Sequence, residues 1–517
     1  MAQTYYITTP IYYVNDKPHI GHAYTTLACD VLARFKRLDG FDVTFLTGTD
    51  EHGQKVEKAA SDKGVSPQSF TDEVSQNFRD LTAQMNFSND DFIRTTEQRH
   101  KLACQKIWQR LQERGHIRLG NYAGWYSVRD EAFFTETEVV DGKAPTGAPV
   151  EWVEEPSYFF NLSEWQRPLL DHYEANPDFV GPESRFNEVK SFVKGGLRDL
   201  SVSRASFKWG IPVPGDPDHV MYVWLDALTN YITASGWPTD SELGDPAKYA
   251  KLWPADLHMV GKDILRFHAV YWPAFLMAAD LPLPKRVYAH GWWTNEGQKI
   301  SKSLGNVIDP NALTAQYGLD QTRYFLMREV PFGNDGDFSA AAMTHRMNGD
   351  LANDLGNLCQ RVLSMIFKNC DAKMPAVPAQ PSDIDQALLA AADDLLDQVR
   401  ELLDRQAFNE ALRVIWQVVA EANRYVDAAA PWALKKTDPV RMAEVLAVLA
   451  ETIRQIAILT QPVMPHSAGL ILDQLGVDNA ERDFRFISGK GRLASGHQID
   501  KPSPVFPRYL DEAHADG

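Results

Sequence analysis

The stretch Thr9-Pro10-Ile11-Tyr12-Tyr13-Val14-Asn15-Asp16-Lys17-Pro18-His19-Ile20-Gly21-His22 reads as a loop that joins a strand to a helix. Before it, Thr4 to Thr8 is short, aromatic and β-branched. After it, Tyr24, Leu27, Val31, Phe35 and Leu38 recur at helical spacing up to Gly40, a C-terminal stop. A further strand follows at Asp42 to Thr47, so the three pieces form a parallel βαβ unit with an expected right-handed crossover. Open α/β sheets bind ligands outside the carboxyl ends of their strands, where this loop lies. Gly21 lets an anion approach the free N–H groups and the positive end of the helix dipole, and the imidazoles of His19 and His22 add donors for a phosphate. Taken alone, His-x-Gly-His is equally compatible with two histidines that close a turn or hold a metal.

Downstream, Gly48-Thr49-Asp50-Glu51-His52-Gly53 puts a carboxylate at the mouth of the same cleft. Asp50 is placed there to meet a cation such as a substrate amine, or alternatively to cap the helix running through Val56 and Ala59. Leu102 to Arg114 has the pattern of a surface helix and closes at Gly115. From His116 to Pro217, short aromatic pieces alternate with Gly- and Pro-rich turns, which marks an insertion rather than a continuation of the layered sheet. The α/β texture returns at Val220 to Ala227, a strand running into a helix. It continues with a strand at Asp256 to Val260, the tight Gly261-Lys262-Asp263, a helix from Ile264 to Ala279 and a strand at Arg286 to Trp292. Asn295-Glu296-Gly297-Gln298-Lys299-Ile300-Ser301-Lys302-Ser303-Leu304-Gly305-Asn306 then forms a Gly-flanked basic loop whose lysines can neutralise phosphate charge. An isolated K-x-x-K-S reads instead as a solvated loop with two ordinary lysines.

From Met343 onward the strand pattern disappears. Leu412, Ile415, Trp416, Val419 and Ala422 share one helical face, as do Leu446, Leu449, Ile453 and Ile456 on a later helix, so this part is a helical bundle. Lys501 to Pro507 is extended and expected to fold back onto the body, and the last residues read as disordered. The expected organisation is a Rossmann-like parallel sheet in two halves, 1–115 and 218–292, split by an inserted domain at 116–217. A loop region at 293–342 and a helical domain at 343–517 complete it.

The chain is 517 residues long, enough for roughly two to four domains. Its 44% hydrophobic and 23% charged content is ordinary for a soluble globular protein. No apolar run is long enough to span a bilayer, and Met1 to Ala28 lacks the features of a secretory signal, so a cytoplasmic protein without a membrane partner is expected. Cys29, Cys104, Cys359 and Cys370 are scattered without C-x-x-C spacing, which supports neither a disulfide framework nor a cysteine zinc site. The net charge of -17 argues against broad, nonspecific nucleic-acid binding, and DNA is not expected as a partner. A folded RNA held by local basic and aromatic patches remains compatible with that charge.

His19-Ile20-Gly21-His22 and Lys299-Ile300-Ser301-Lys302-Ser303 resemble the two signatures of class I aminoacyl-tRNA synthetases, in the right order and separated by an insertion. Within that class the chain resembles the methionyl-tRNA synthetases over nearly its whole length. Ile300 stands where that family most often has Met. The resemblance implies a parallel-sheet catalytic domain, an inserted connective domain and a helical anticodon-binding domain. It implies activation of methionine by ATP, with Mg²⁺ as the companion of the nucleotide, and transfer to initiator and elongator tRNA(Met). His19, His22, Lys299 and Lys302 would be catalytic, with Gly21 and Ser301 joining them in ATP binding. Asp50 would hold the methionine amine, while Ile11, Tyr13, Trp224, Ala227, Leu228, Tyr231, Ile264, Phe267, His268 and Trp272 would line the side-chain site. Spacing agrees in part: Ala227, Leu228 and Tyr231 share a helix face, as do Ile264, Phe267 and His268, although such patterns are also those of ordinary core. Asn357, Arg361 and Trp432 would read the anticodon.

Many relatives carry zinc through C-x-x-C pairs in the inserted domain. Here Ser127 and Asp130 stand near one such pair and Ala144 near another, so no zinc is expected. A monomer is expected, because the C-terminal dimer-forming domain of some relatives has no counterpart. Two alternatives stay open: another class I synthetase, or an inactive tRNA-binding scaffold.

Overall fold

The structure, a computed structural model, describes residues 2–14, 17–129, 132–134, 136, 138–300 and 305–510, with backbone alone at 122, 132, 133, 223 and 490. The chain divides into two compact units: one comprises Thr4–Pro18 and Val43–His290, the other Met1–Gln3, His19–Asp42 and Gly291–Gly517.

The first unit contains a seven-stranded sheet in the order Tyr12–Tyr13, Asp42–Asp50, Thr4–Thr8, Leu257–Gly261, Val287–His290 and Val180–Gly181, with Asp91–Arg94 also paired to Asp42–Asp50. Thr4–Thr8 runs parallel to Leu257–Gly261, and that strand parallel to Val287–His290, as crossover connections require. The Asp42–Asp50 strand runs past Thr47 because Gly48 does not break it. A Cβ on Gly48 would lie 2.0 Å from the Ile93 carbonyl oxygen, so this glycine permits close approach of the neighbouring strand.

Val180–Gly181 lies inside the stretch that reads as an insertion, yet it pairs with Val287–His290 in the main sheet. Two residues are too few to carry a periodic pattern. The rest of that stretch holds an antiparallel ribbon of Ile117–Ser127 against Glu151–Phe160, in register from Ile117↔Phe160 to Tyr126↔Glu151, and two helices, Gln166–Ala175 and Glu183–Lys194. Ser127 and Ala144 are buried there, whereas Asp130 lies outside the described residues.

Two local differences from the sequence expectation have physical causes. The strand before Ala227 is Asp216–Met221, and it belongs to a small antiparallel sheet with Ser203–Arg204 and Pro212–Val213. Val213 pairs with Asp216 across Pro214-Gly215, and Gly215 adopts φ 81°, so a tight hairpin forms and local pairing prevails. The single helix expected from Ile264 is broken into a 3₁₀ turn at Lys262–Ile264, a π-turn at Phe267–Tyr271 and an α-helix at Trp272–Ala278. The Trp272 N–H bonds the Phe267 carbonyl, and Pro273 has no N–H for the turn before it.

The second unit holds the Ile20–Leu38 helix, a three-stranded sheet of Trp293–Asn295, Gln298–Lys299 and Gly336–Phe338, and the helical bundle. The faces anticipated on Phe408–Ala429 and Pro439–Thr460 are buried, and the latter helix is enclosed all round from Val445 to Thr460. The C-terminal segment does fold back: Ser503 N–H donates to Gln474, and the Tyr509 backbone exchanges two hydrogen bonds with the Asn348 side chain. Residues 511–517 lie outside the described residues.

The Ile20–Leu38 helix is tied into this unit by charge. Asp30 accepts from Arg323 at 2.6 Å with both side chains fully buried, Lys36 meets Asp404 at 2.7 Å, and Asp39 meets Arg400 at 2.6 Å. Among the described residues no helix is long and apolar enough to cross a membrane.

Candidate active site

His19 is the N-cap of the Ile20–Leu38 helix, with extended backbone. Its Nδ1 accepts from the Gly21 N–H at 3.1 Å, while Nδ1 of His22 accepts from the His19 N–H at 3.1 Å. Two imidazoles thus form a reciprocal capping box, the role usually filled by hydroxyl and carboxyl side chains. A neutral imidazole that accepts at Nδ1 carries its proton on Nε2. Capping therefore makes both rings Nε2–H donors, and the rings lie 3.9 Å apart. The sequence left turn-closing and phosphate donation as alternatives; the contacts here are those of turn-closing, and they are compatible with donation from Nε2. A Cβ at Gly21 would sit 3.0 Å from Cε1 of His19, so a larger residue there would press on that ring.

Past the basic loop the chain returns to the first signature, where the Ile20 N–H donates to the Ile308 carbonyl at 3.1 Å. Lys299 is exposed on the short Gln298–Lys299 strand, with Nζ 6.0 Å from the Trp292 ring centre. The loop's neck is closed by two asparagines: Asn295 donates to the Asn306 carbonyl at 3.0 Å, and Asn306 to the Lys299 carbonyl at 3.1 Å. Sequence reading missed this clamp, whose only cue is that each asparagine bounds a glycine turn. Ser301 and Lys302 lie outside the described residues. His19, Gly21, His22 and Lys299 all belong to the second unit.

The residues assigned to methionine all belong to the first unit. Asp50 is buried at the carboxyl end of its strand, in register with Tyr13, and its carbonyl accepts from Val14 at 3.1 Å. The capping alternative fails, since Gly53 with φ 118° occupies the N-cap of Gln54–Asp62. Leu228, Tyr231 and Trp272 are buried in one cluster, with Ile11, Trp224, Ile264 and Phe267 packed against it. Trp224 and Phe267 stack with ring centres 3.4 Å apart. Ala227 is buried on the same helix as Trp224. Tyr13 packs instead against the cluster of Tyr12, Val14 and Phe78, and Trp272 is wholly enclosed, so these two stand apart from the half-exposed Trp224, Ile264 and Phe267. The π-turn that carries Phe267 and His268 left no periodic trace in the sequence; Pro273 was its one cue.

His268 Nδ1 lies 2.9 Å from the Ile264 carbonyl, which can only accept, so Nε2 accepts from the Tyr231 hydroxyl at 2.6 Å. Burial pushes the His268 pKa down to about 4, against the opposing pull of the Ile264 carbonyl and Asp263. The His258 ring is shifted the same way, chiefly by burial. An unfolded histidine titrates near pH 6.5, so the unfolded chain binds more protons below that value. The contribution of His268 to stability is complete above about pH 6.5 and is lost as pH falls toward 4, by up to about 1.4 kcal/mol per pH unit. Urea midpoints at pH 7 and pH 5 are expected to differ less in His268→Gln than in the parent; equal differences would refute the assignment.

In the bundle, Asn357 opens the Asn357–Asn369 helix and is exposed, and Arg361 lies one turn on. Arg361 meets Asp427 at 3.0 Å, and its guanidinium carbon lies 5.5 Å from the Trp432 ring centre. Trp432 is 48% exposed at the start of Pro431–Thr437, directed there by the left-handed Ala430. Arg361 and Trp432 line a recess of about 230 Å³ together with Met365 and Pro431, and Asn357 is not part of its lining. An aromatic face beside a guanidinium suits an unstacked base.

Known proteins resemble the chain over nearly its whole length. A family model described as "tRNA synthetases class I (M)" matches residues 5–149 and 146–363, and one described as "Anticodon binding domain of methionyl tRNA ligase" matches 375–516. The chain is 59% identical to a methionine–tRNA ligase of Rickettsia conorii, over 98% of this chain and all of that protein. It is 58% identical to the Rhizobium meliloti ligase over 98% of each chain. A structure of Mycobacterium tuberculosis methionyl-tRNA synthetase in complex with methionyl-adenylate superposes with a TM-score of 0.94 at 53% identity, covering 98% of this chain and 100% of that one. With matches of this extent to both its sequence and its fold, the chain belongs to the methionyl-tRNA synthetases of class I.

Proposed function

We propose that the protein carries out the reaction of its family with one residue set for ATP and a second for methionine. The protein activates L-methionine with ATP to methionyl-adenylate and pyrophosphate, then transfers methionine to the 3' end of initiator and elongator tRNA(Met). In the first step a methionine carboxylate oxygen attacks the α-phosphorus, and the bond from that phosphorus to the pyrophosphate oxygen breaks. A carboxylate has no proton to remove, so neither histidine is needed as a base. His19 and His22 donate Nε2–H groups, Gly21 gives room at the helix N-terminus, and Lys299, Ser301 and Lys302 contact the phosphates as charge moves onto the leaving group. The capping box carries this reading, because it fixes both imidazoles as donors before any nucleotide arrives. The adenylate-bound relative supports the same intermediate here.

Asp50 holds the α-amino group, and Ile11, Trp224, Ala227, Leu228, Tyr231, Ile264, Phe267 and His268 form the thioether site, with Tyr13 and Trp272 at its margin. Contacts from aromatic rings to sulfur contribute about 0.3–1.5 kcal/mol each. Asn357, Arg361 and Trp432 read the anticodon. The nucleotide would enter as its Mg²⁺ salt, the ion offsetting phosphate charge alongside Lys299 and Lys302. The inserted ribbon is held without zinc by its strand pairing and by the edge-on contact of Trp125 with Trp152. A cytoplasmic monomer is the proposed state. Light scattering and metal analysis of the purified protein test the last two points.

Amino-acid-dependent exchange of labelled pyrophosphate into ATP, across a panel of amino acids, tests the main reading. Exchange with methionine is expected, and exchange with another amino acid but not methionine would overturn it. Lys302→Ala should slow adenylate formation roughly 10²- to 10³-fold while weakening methionine binding much less. Equal losses would show that the loop has another role.

A further inference from the structure

Asp226, His52 and His100 come from the Val223–Ala234 helix, the segment after the Asp42–Asp50 strand and the Gln98–Glu113 helix, and all three are buried. His52 Nδ1 lies 2.6 Å from one Asp226 carboxyl oxygen and His100 Nε2 lies 2.7 Å from the other. Burial alone would raise the carboxyl pKa, but the two rings outweigh it and hold Asp226 well below the usual carboxylate range. As an ionised acceptor it takes one N–H from each ring, which fixes the orientation of both.

Cys104 also lies here, its sulfur 3.2 Å from His100 Nε2. His100, Cys104 and Asp226 are the kinds of residue that bind metals. Two ligands about 2.0–2.1 Å from a tetrahedral zinc stand roughly 3.3 Å apart. The 2.7 Å between His100 and Asp226 is a hydrogen bond instead, and burial together with Asp226 pushes the Cys104 thiol well up, toward its protonated form. A buried ionic cluster is a weak source of stability compared with apolar packing of the same shape, so its role lies in placement.

The neighbours show what is placed. After Asp50, the Glu51 N–H bonds the Thr95 hydroxyl and its carboxylate takes two bonds from Arg94. The Trp209 indole donates to the Glu51 carbonyl, and the Gly53 N–H to the Trp209 carbonyl. His52 is the member of this run that reaches the Val223–Ala234 helix. Two residues on a helix are about 200° apart, so Asp226 faces the strand end while Trp224 turns the other way onto Phe267.

We propose that Asp226 is a positioning residue for methionine activation: through His52 it sets the strand end bearing Asp50 at a fixed spacing from the helix bearing Trp224, Ala227 and Leu228. This rests on the reading of Asp50 as the amine site. Amine and side chain of one small substrate are held by different elements, and the His52–Asp226 bond is the polar tie between them.

Pyrophosphate exchange by the full chain, with methionine and ATP titrated separately, tests it in Asp226→Asn, His52→Ala, His52→Gln and Asp50→Ala. Asp226→Asn and His52→Ala are expected to raise the methionine KM at least tenfold with the ATP KM within about twofold. His52→Gln, whose amide can donate to Asp226, should recover most of that loss. Equal changes in both KM values, no change in either, or a His52→Gln as impaired as His52→Ala would overturn the proposal. If Asp226→Asn does not fold, the two His52 variants decide. If Asp50→Ala also leaves the methionine KM unchanged, the amine-site reading falls; if only Asp50→Ala raises it, the positioning role falls.

Discussion

Replacing Asp50 with alanine is expected to remove methionine activation while leaving the protein folded. In the proposed role of Asp50, a methionine ammonium beside it loses its water and needs a charge in exchange. Asp50 is only 6% exposed. Stranding one partner of a buried, hydrogen-bonded charge pair costs about 3–5 kcal/mol, which is roughly 10²- to 10⁴-fold in kcat/KM for methionine. Asp50→Asn keeps the shape without the charge and should lose nearly as much. Stability should change little, because Gly53 rather than Asp50 caps the next helix and the strand pairing uses backbone groups. Pyrophosphate exchange beside urea denaturation checks both halves. An Asp50→Ala protein that unfolds would show the carboxylate to be structural.

The largest stability effect is expected at Arg323. Its guanidinium donates to Asp30 at 2.6 Å, to the Val463 carbonyl at 2.8 Å and to the Pro462 carbonyl at 2.9 Å, all out of solvent. Burial lowers its pKa, and Asp30 pulls the other way. Arg323→Met fills similar volume but leaves a buried carboxylate and two carbonyls without that donor, a cost of about 3–5 kcal/mol. Arg34, which also meets Asp30 at 2.8 Å, softens the loss from a partly exposed position. Adding Asp30→Asn to Arg323→Met should restore part of the stability, since the stranded charge is then gone. A single variant with an unchanged denaturation midpoint would refute the argument.

Repeating apolar spacing made the Ile20–Leu38 helix and the two long bundle helices legible in the sequence, and aromatic and β-branched composition the Thr4–Thr8 strand. The two-residue strand at Val180–Gly181 was not, for it gains its partner from distant chain. The His52–Asp226–His100 cluster was hidden for a different reason: Asp226 stands more than a hundred residues from either histidine and each member, alone, is an ordinary polar residue. The signature histidines were visible as a motif. Their tautomers were not, because these depend on which backbone N–H each ring accepts.

The three ion pairs that fasten the Ile20–Leu38 helix have a bearing on how the protein can be divided. Asp404, Arg400 and the Pro462 and Val463 carbonyls all lie beyond residue 342, where the sequence suggests a boundary. A fragment ending there would keep His19, His22 and Arg323 but lose Arg400 and Asp404, two of the three ion-pair partners of their helix, and the carbonyls that hold Arg323. The chain therefore does not separate by sequence order into a portable ATP-using module and a portable RNA-reading one: the later half is the mounting on which the earlier motif is fixed.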